Sequence, residues 1–189
     1  MFDSERQFAH DLAAKVVSPL QAEQSVEARR RDIYDSHRHR TFSLAYYMTG
    51  NELEAEQVLA DTFLRAFRTA QEPNAQDVDL ALMEELRDRL PLGLNDEAAT
   101  PPPALVLSDL PTELAGSTVK RTDLEEAMRN LPARERLLFL LRDVEGYAST
   151  AIAELLQMPE VQVQHGLFTA RIRLRQLLSA AQAERAEAA

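Results

Sequence analysis

The sequence predicts an all-α protein, with two small helical domains joined by a proline-rich linker and a helix-turn-helix as the C-terminal domain. Three observations predict this. Ala, Leu, Glu and Arg dominate the 189 residues, apolar residues recur at helical spacing, and no alternating strand pattern stands out. Pro91, Gly93, Pro101, Pro102, Pro103, Pro111 and Gly116 break any long helix between residues 91 and 120. Residues 131–178 hold three apolar-periodic segments separated by short breaks. The expected organisation is a helical arm at 1–30, a helical domain at 31–90, an acidic linker at 91–120, the helix-turn-helix domain at 121–180 and a flexible tail at 181–189.

Taken in order, residues 4–30 carry a loose helical pattern interrupted at Ser18-Pro19, and Arg29-Arg30-Arg31 reads as a solvated helix face. The next helix places Ile33, Tyr34, His37, Thr41, Leu44, Ala45 and Met48 near one face, and Gly50 ends it. Asn51 caps its successor, with Glu54 in the capping-box position. That helix has Leu53, Val58, Leu59, Phe63, Leu64 and Phe67 as its apolar stripe. Residues 77–90 form a third helix facing a core with Val78, Leu82, Leu86 and Leu90, or with Leu80, Met83 and Leu90. Within the linker, Leu105, Val106, Leu107, Leu110 and Leu114 are unusually apolar and expected to dock on a domain or a partner. Thr122 or Asp123 then caps a helix that buries Leu124, Ala127, Met128 and Leu131.

In the C-terminal stretch, Pro132 suits a first helical turn, Leu137, Leu138, Leu140 and Leu141 make one stripe, and Gly146 stops the helix. Ser149 or Thr150 caps the next, which buries Ile152, Ala153, Leu155 and Leu156. After the turn Gln157-Met158-Pro159-Glu160, a last helix packs Val163, Leu167, Ala170, Leu174, Leu177 and Leu178. The second helix of such a pair can enter a major groove with its N-terminal residues. Gln162, Gln164 and His165 are those residues here, followed by Arg171, Arg173 and Arg175 with no acid among them.

Charge and composition narrow the function. The chain has no cysteine, hence no disulfide, thiolate zinc site or thiol nucleophile, which fits the reducing cytoplasm. No apolar run approaches the ~20 residues that span a bilayer, and MFDSERQFAHDL is too charged for a signal peptide, so no membrane insertion is expected. The net charge is −10, of which residues 72–113 hold −8, with 10 acids against 2 bases. A general nucleic-acid binder would be basic; the net charge of +3 over 161–175 allows only weak binding to free DNA. No Gly-rich phosphate loop, paired nucleophile and base, or metal-ligand cluster occurs, so no enzyme activity, cofactor or metal is expected. His37 and His39, two residues apart on a helix, do not share a face.

Beyond periodicity, Leu131-Pro132-Ala133-Arg134-Glu135-Arg136, Leu140-Leu141-Arg142-Asp143-Val144-Glu145-Gly146, Ile152-Ala153-Glu154-Leu155-Leu156 and Ala170-Arg171 resemble the C-terminal domain of bacterial sigma factors of the sigma-70 superfamily, extracytoplasmic-function type. Leu44-Ala45, Thr49-Gly50, Glu54-Ala55-Glu56 and Asp61-Thr62-Phe63-Leu64-Arg65-Ala66-Phe67 look like the N-terminal domain of the same class. The resemblance implies that Glu54, Glu56, Asp61, Thr62 and Arg65 dock on core RNA polymerase and that the C-terminal domain binds the upstream promoter element. An anti-sigma factor is a further candidate partner.

The chain departs from the family pattern in both DNA-binding regions. Residues 72–90 lack the aromatic and basic helix that opens the downstream element. At the position of the usual Thr-Val-Lys-Ser-Arg-Leu stands Gln162-Val163-Gln164-His165-Gly166-Leu167, and Gln157 replaces a turn glycine. Ala60 and Gln57 replace a usual Gln and a usual acid. Gly166 should cost the helix about 1 kcal/mol relative to Ala. Two functions remain in view: a sigma-factor-like initiation protein, and a protein-binding module that keeps the sigma shape with little promoter recognition.

Overall fold

The computed structural model describes residues 19–70, 73–93 and 119–187. These residues form α1 (Pro19–Thr49), α2 (Glu52–Thr69), α3 (Ala75–Arg89), α4 (Arg121–Asn130), α5 (Ala133–Phe139), α6 (Ser149–Leu156) and α7 (Glu160–Glu187), with a π-helical turn at Leu140–Val144 after α5. No strand occurs among the described residues, as the sequence predicts. The apolar linker segment 105–114 and the triple proline lie outside the described residues.

Helices α1, α2 and α3 pack as one unit, and α4 to α7 as a second. On α1, Thr41, Leu44, Ala45 and Met48 are buried, matching the helical stripe read from the sequence. Helix α1 runs without a break through residues 30 and 31, and Gly50 ends it with φ +72. The side chain of Asn51 accepts from the Leu53 and Glu54 backbone N–H groups and so caps α2. Helix α3 has its own capping box, between Asn74 and Asp77.

Three expected stripes are corrected. On α2, Leu53 and Leu64 are 63% and 53% exposed, while Ala55, Val58, Thr62, Phe63 and Ala66 are buried. Ala55, Thr62 and Ala66 share the inward face; Leu53 and Leu64, eleven residues apart, share the outward one. Leu80 of α3 and Leu124 of α4 also face solvent. Two caps differ as well: neither α4 nor α6 has a side-chain cap, because each begins a residue or two earlier than a Thr122 or Thr150 cap requires. Helix α7 also extends to Glu187 through the stretch expected to be a flexible tail, and Arg185 there pairs with Asp123 of α4.

The second unit contains the helix-turn-helix. Helix α6 ends at Gln157, a non-glycine residue at φ 53, and α7 starts at Glu160. The Gln157 N–H closes on Glu154 O and the Met158 N–H on Ala153 O, satisfying the carbonyls at the helix end. Ile152, Leu156, Val163 and Leu167 fill the angle between the two helices. The core is continuous across the two units. Leu44, Met48, Leu82 and Leu86 belong to the same buried cluster as Leu137, Leu141 and Leu156. A smaller cluster, Phe63, Ala66, Val78 and Ala81, closes the far end of the first unit.

Gly166 has a role that helix propensity hides. A Cβ there would stand 2.4 Å from Cδ1 of Leu138, a fully buried side chain that would have to shift. The bare backbone lets α7 lie close against α5. Gly166→Ala should therefore lower stability, by about 1 kcal/mol net, because overpacking outweighs the propensity gain. Chemical denaturation of the two proteins checks this; equal or higher stability for the alanine protein would show that α7 is not held this close.

Candidate functional site

The residues expected to meet polymerase do not form one open surface. Glu54 and Glu56 are exposed in the first turns of α2, where the helix dipole favours acids. Thr62 is fully buried and points into the unit. Arg65 is held by three acids of α3: Glu84 at 2.9 Å, Glu85 at 2.8 Å and Asp88 at 2.9 Å. Hydrogen bonds to Glu84 and Asp88 raise its pKa, so it remains a cation throughout. Asp61 pairs with Arg89 of α3. The charges of α3 are thus largely paired with those of α2. The outward stripe of α2 is instead Leu53, Gln57, Ala60 and Leu64, none of it buried, with Glu54 and Glu56 beside it.

The six residues expected to meet DNA also divide. Gln164, His165 and Arg175 are exposed on α7. The Gln162 side-chain oxygen accepts from Arg134 at 3.0 Å. Arg171 is bound by both oxygens of Asp143, at 3.0 and 2.6 Å, and that hydrogen bonding raises its pKa. Arg173 lies 3.5 Å from Glu135. Desolvation pushes the Glu135 carboxyl up, and Arg173 and Arg134 offset this only in part. Sequence reading missed these acids because they lie 28 and 38 residues away, on a different element.

The joint between the units was not legible in the sequence either. Arg40 of α1 donates to Asp79 of α3 at 2.7 Å and to Glu145 at 2.5 Å, and also to the Tyr147 hydroxyl. The Tyr147 hydroxyl in turn donates to Asp79. Burial pulls the Arg40 pKa down, but its hydrogen bonds to Asp79 and Glu145 outweigh that and raise it. The π-helical turn places the second unit's members of this cluster: Glu145 N–H reaches back five residues to Leu140 O, and Gly146 at φ +79 redirects the chain to Tyr147. Arg87 of α3 donates to Leu156 O at 2.5 Å, and Arg136 of α5 to Met48 O at 2.9 Å. Among the described residues no group of three or more His, Cys, Asp or Glu is placed to hold a metal, and no helix is long and apolar enough to cross a membrane.

This architecture is that of a two-unit helical protein with a C-terminal helix-turn-helix. Residues 121–174 match the family described as sigma-70, region 4. The chain is 27% identical over 168 residues to the ECF RNA polymerase sigma factor SigE of Mycolicibacterium smegmatis, a match that covers 84% of this chain and 65% of that protein. The chain therefore spans just under two thirds of that relative's length. Its fold is similar to the sigma factor RpoE of Bartonella quintana, solved in complex with the anti-sigma factor NepR, with a TM-score of 0.56, 16% identity, and coverage of 79% of this chain and 96% of that one. The family match falls within the second unit, residues 121–174, and the likeness to the solved structure is one of fold.

The joint should report on alkaline pH. Burial, then the hydrogen bond to Asp79, pushes the Tyr147 phenol up from its ordinary 10 to about 12. The folded protein holds this proton more tightly than the unfolded chain, so the stability it contributes is present below pH 10 and lost as pH rises towards 12. Tyr147→Phe should be less stable at neutral pH but lose less stability across that window, as followed by thermal unfolding. An unchanged alkaline slope would mean Tyr147 is not held in this cluster.

Proposed function

We propose that the chain is a sigma-factor-like transcription initiation protein of the cytoplasm, which binds core RNA polymerase through α2 and promoter DNA through α6 and α7. The observation that carries this reading is the helix-turn-helix within residues 121–174, following in the same chain a helix that exposes acids at its N-terminal end. In this reading Glu54 and Glu56 make the first polymerase contacts. Asp61 and Arg65 join by exchanging their α3 partners for polymerase groups, and Thr62 supports the helix from inside. On DNA, Gln162, Gln164 and His165 face the groove, and Arg171, Arg173 and Arg175 lie further along the helix. With two of these arginines paired to acids, affinity for free DNA is low and polymerase supplies most of the binding.

A second reading is favoured by that same pairing and by the acidic α3: a sigma-shaped module that engages an anti-sigma factor or polymerase without reading a promoter. Binding to core polymerase and opening of promoter fragments, scored separately on a fragment library, divide the two. Binding with opening supports initiation, and binding without opening on any fragment supports the module.

Glu54→Lys with Glu56→Lys should weaken polymerase binding about tenfold, since both side chains are exposed, at a small cost in helicity because the first turns favour acids. Binding by fluorescence anisotropy, with circular dichroism as the folding control, tests the assignment; unchanged affinity would remove α2 from the interface.

A further inference from the structure

Helix α7 turns two large apolar side chains to solvent. Val161 is 75% exposed and Phe168 52%. They are seven residues apart, close to two helical turns, so they share a face, and Gln164 and His165 are exposed between them. Val161 is the second residue of the helix, in the part that enters a groove when a helix-turn-helix binds DNA.

The same face lacks the usual donors for guanine. No Lys or Arg occurs from Glu160 to Ala170, so the paired contacts to guanine O6 and N7 have no source there. The next arginine, Arg171, is occupied by Asp143. What remains is apolar contact, the Gln164 amide and the His165 imidazole, with the Gln162 oxygen already taken by Arg134. In a major groove an apolar side chain finds one apolar partner, the C5 methyl of thymine. The Gln164 amide nitrogen donates to Glu160 at 3.0 Å, leaving its oxygen to accept from an adenine amino group.

We infer that α7 reads thymine methyl groups through Val161 and Phe168, so that the upstream element this protein recognises is rich in A·T pairs. This rests on the reading of α6 and α7 as a DNA-binding unit and names what that unit selects. Seven residues of helix rise about 10 Å, close to three base-pair steps, so the two methyl groups stand about three steps apart. Methyl contacts are not screened by salt as phosphate contacts are, so selectivity should survive a rise in salt that lowers affinity.

The test uses the full chain bound to core polymerase. A bound element is first selected from random-sequence duplexes, and each thymine in it is then replaced singly by deoxyuridine, which removes the methyl alone. Two positions about three steps apart should each lose affinity about three- to fivefold. V161A should abolish the sensitivity at one position and F168A at the other, with unchanged circular dichroism. Tight binding that is indifferent to deoxyuridine everywhere overturns methyl reading while leaving promoter binding intact. Absence of any bound duplex, with polymerase still held, overturns the DNA-binding reading and the inference together. Loss of polymerase binding in V161A or F168A also overturns the inference, and makes this face a protein contact.

Discussion

One apolar core holds both helical units, and the placement of every surface follows from it. Met48, Leu82 and Leu86 from the first unit meet Leu137, Leu141 and Leu156 from the second without an intervening polar layer. Each such side chain contributes about 1.5–3 kcal/mol by leaving water, so this seam is stronger than any ion pair around it. Arg40, Asp79 and Glu145 are partly buried at its edge. Their charges are tolerable there because each meets an opposite charge or a hydroxyl, and removing one member would leave the others unpaired. The seam sets where the units meet, and the polar cluster sets their mutual orientation.

Charge elsewhere is organised by the same economy. The chain is acidic, yet the described acids of α3 are largely used within the molecule. Glu85 is buried between Arg65 and Arg89, and Asp79 serves Arg40. In the second unit Glu135 and Asp143 do the same for Arg173 and Arg171. A partner that needs Arg65 or Arg171 must offer better anions than those already present. Phosphates and carboxylates on a large assembly can do so, whereas a short DNA fragment in salt competes poorly.

Much of the fold was legible because it depends on local pattern. Gly50 and Gly146 at positive φ, Asn51 as a cap, and the stripes of α1, α5 and α7 follow from residue type and spacing. The stripe of α2 misled because small residues carry it: Ala55, Thr62 and Ala66 face inward so that helices can approach, and the larger Leu53 and Leu64 are left outside. Gly166 misled in the same way, since a cost in helix propensity was visible and the contact with Leu138 was not. For the candidate surfaces, sequence placed the candidate residues on the helices where the structure has them, α2 and α7, but did not show which side chains are free. Whether Arg65 or Gln162 is available depends on Glu84 or Arg134, and such distant pairings leave no periodic trace.

The π-helical turn at Leu140–Val144 acts as a phase setting. A backbone that closes on the fifth residue rather than the fourth carries one residue more than a regular helix needs. Removing that residue would let the segment relax to ordinary winding, yet everything after it would rotate by about 100° about the helix axis. Glu145 and Tyr147 would then face away from Arg40, although every side chain of the cluster was still present. The address at which the two units recognise each other is therefore encoded by a count of residues as much as by their chemistry.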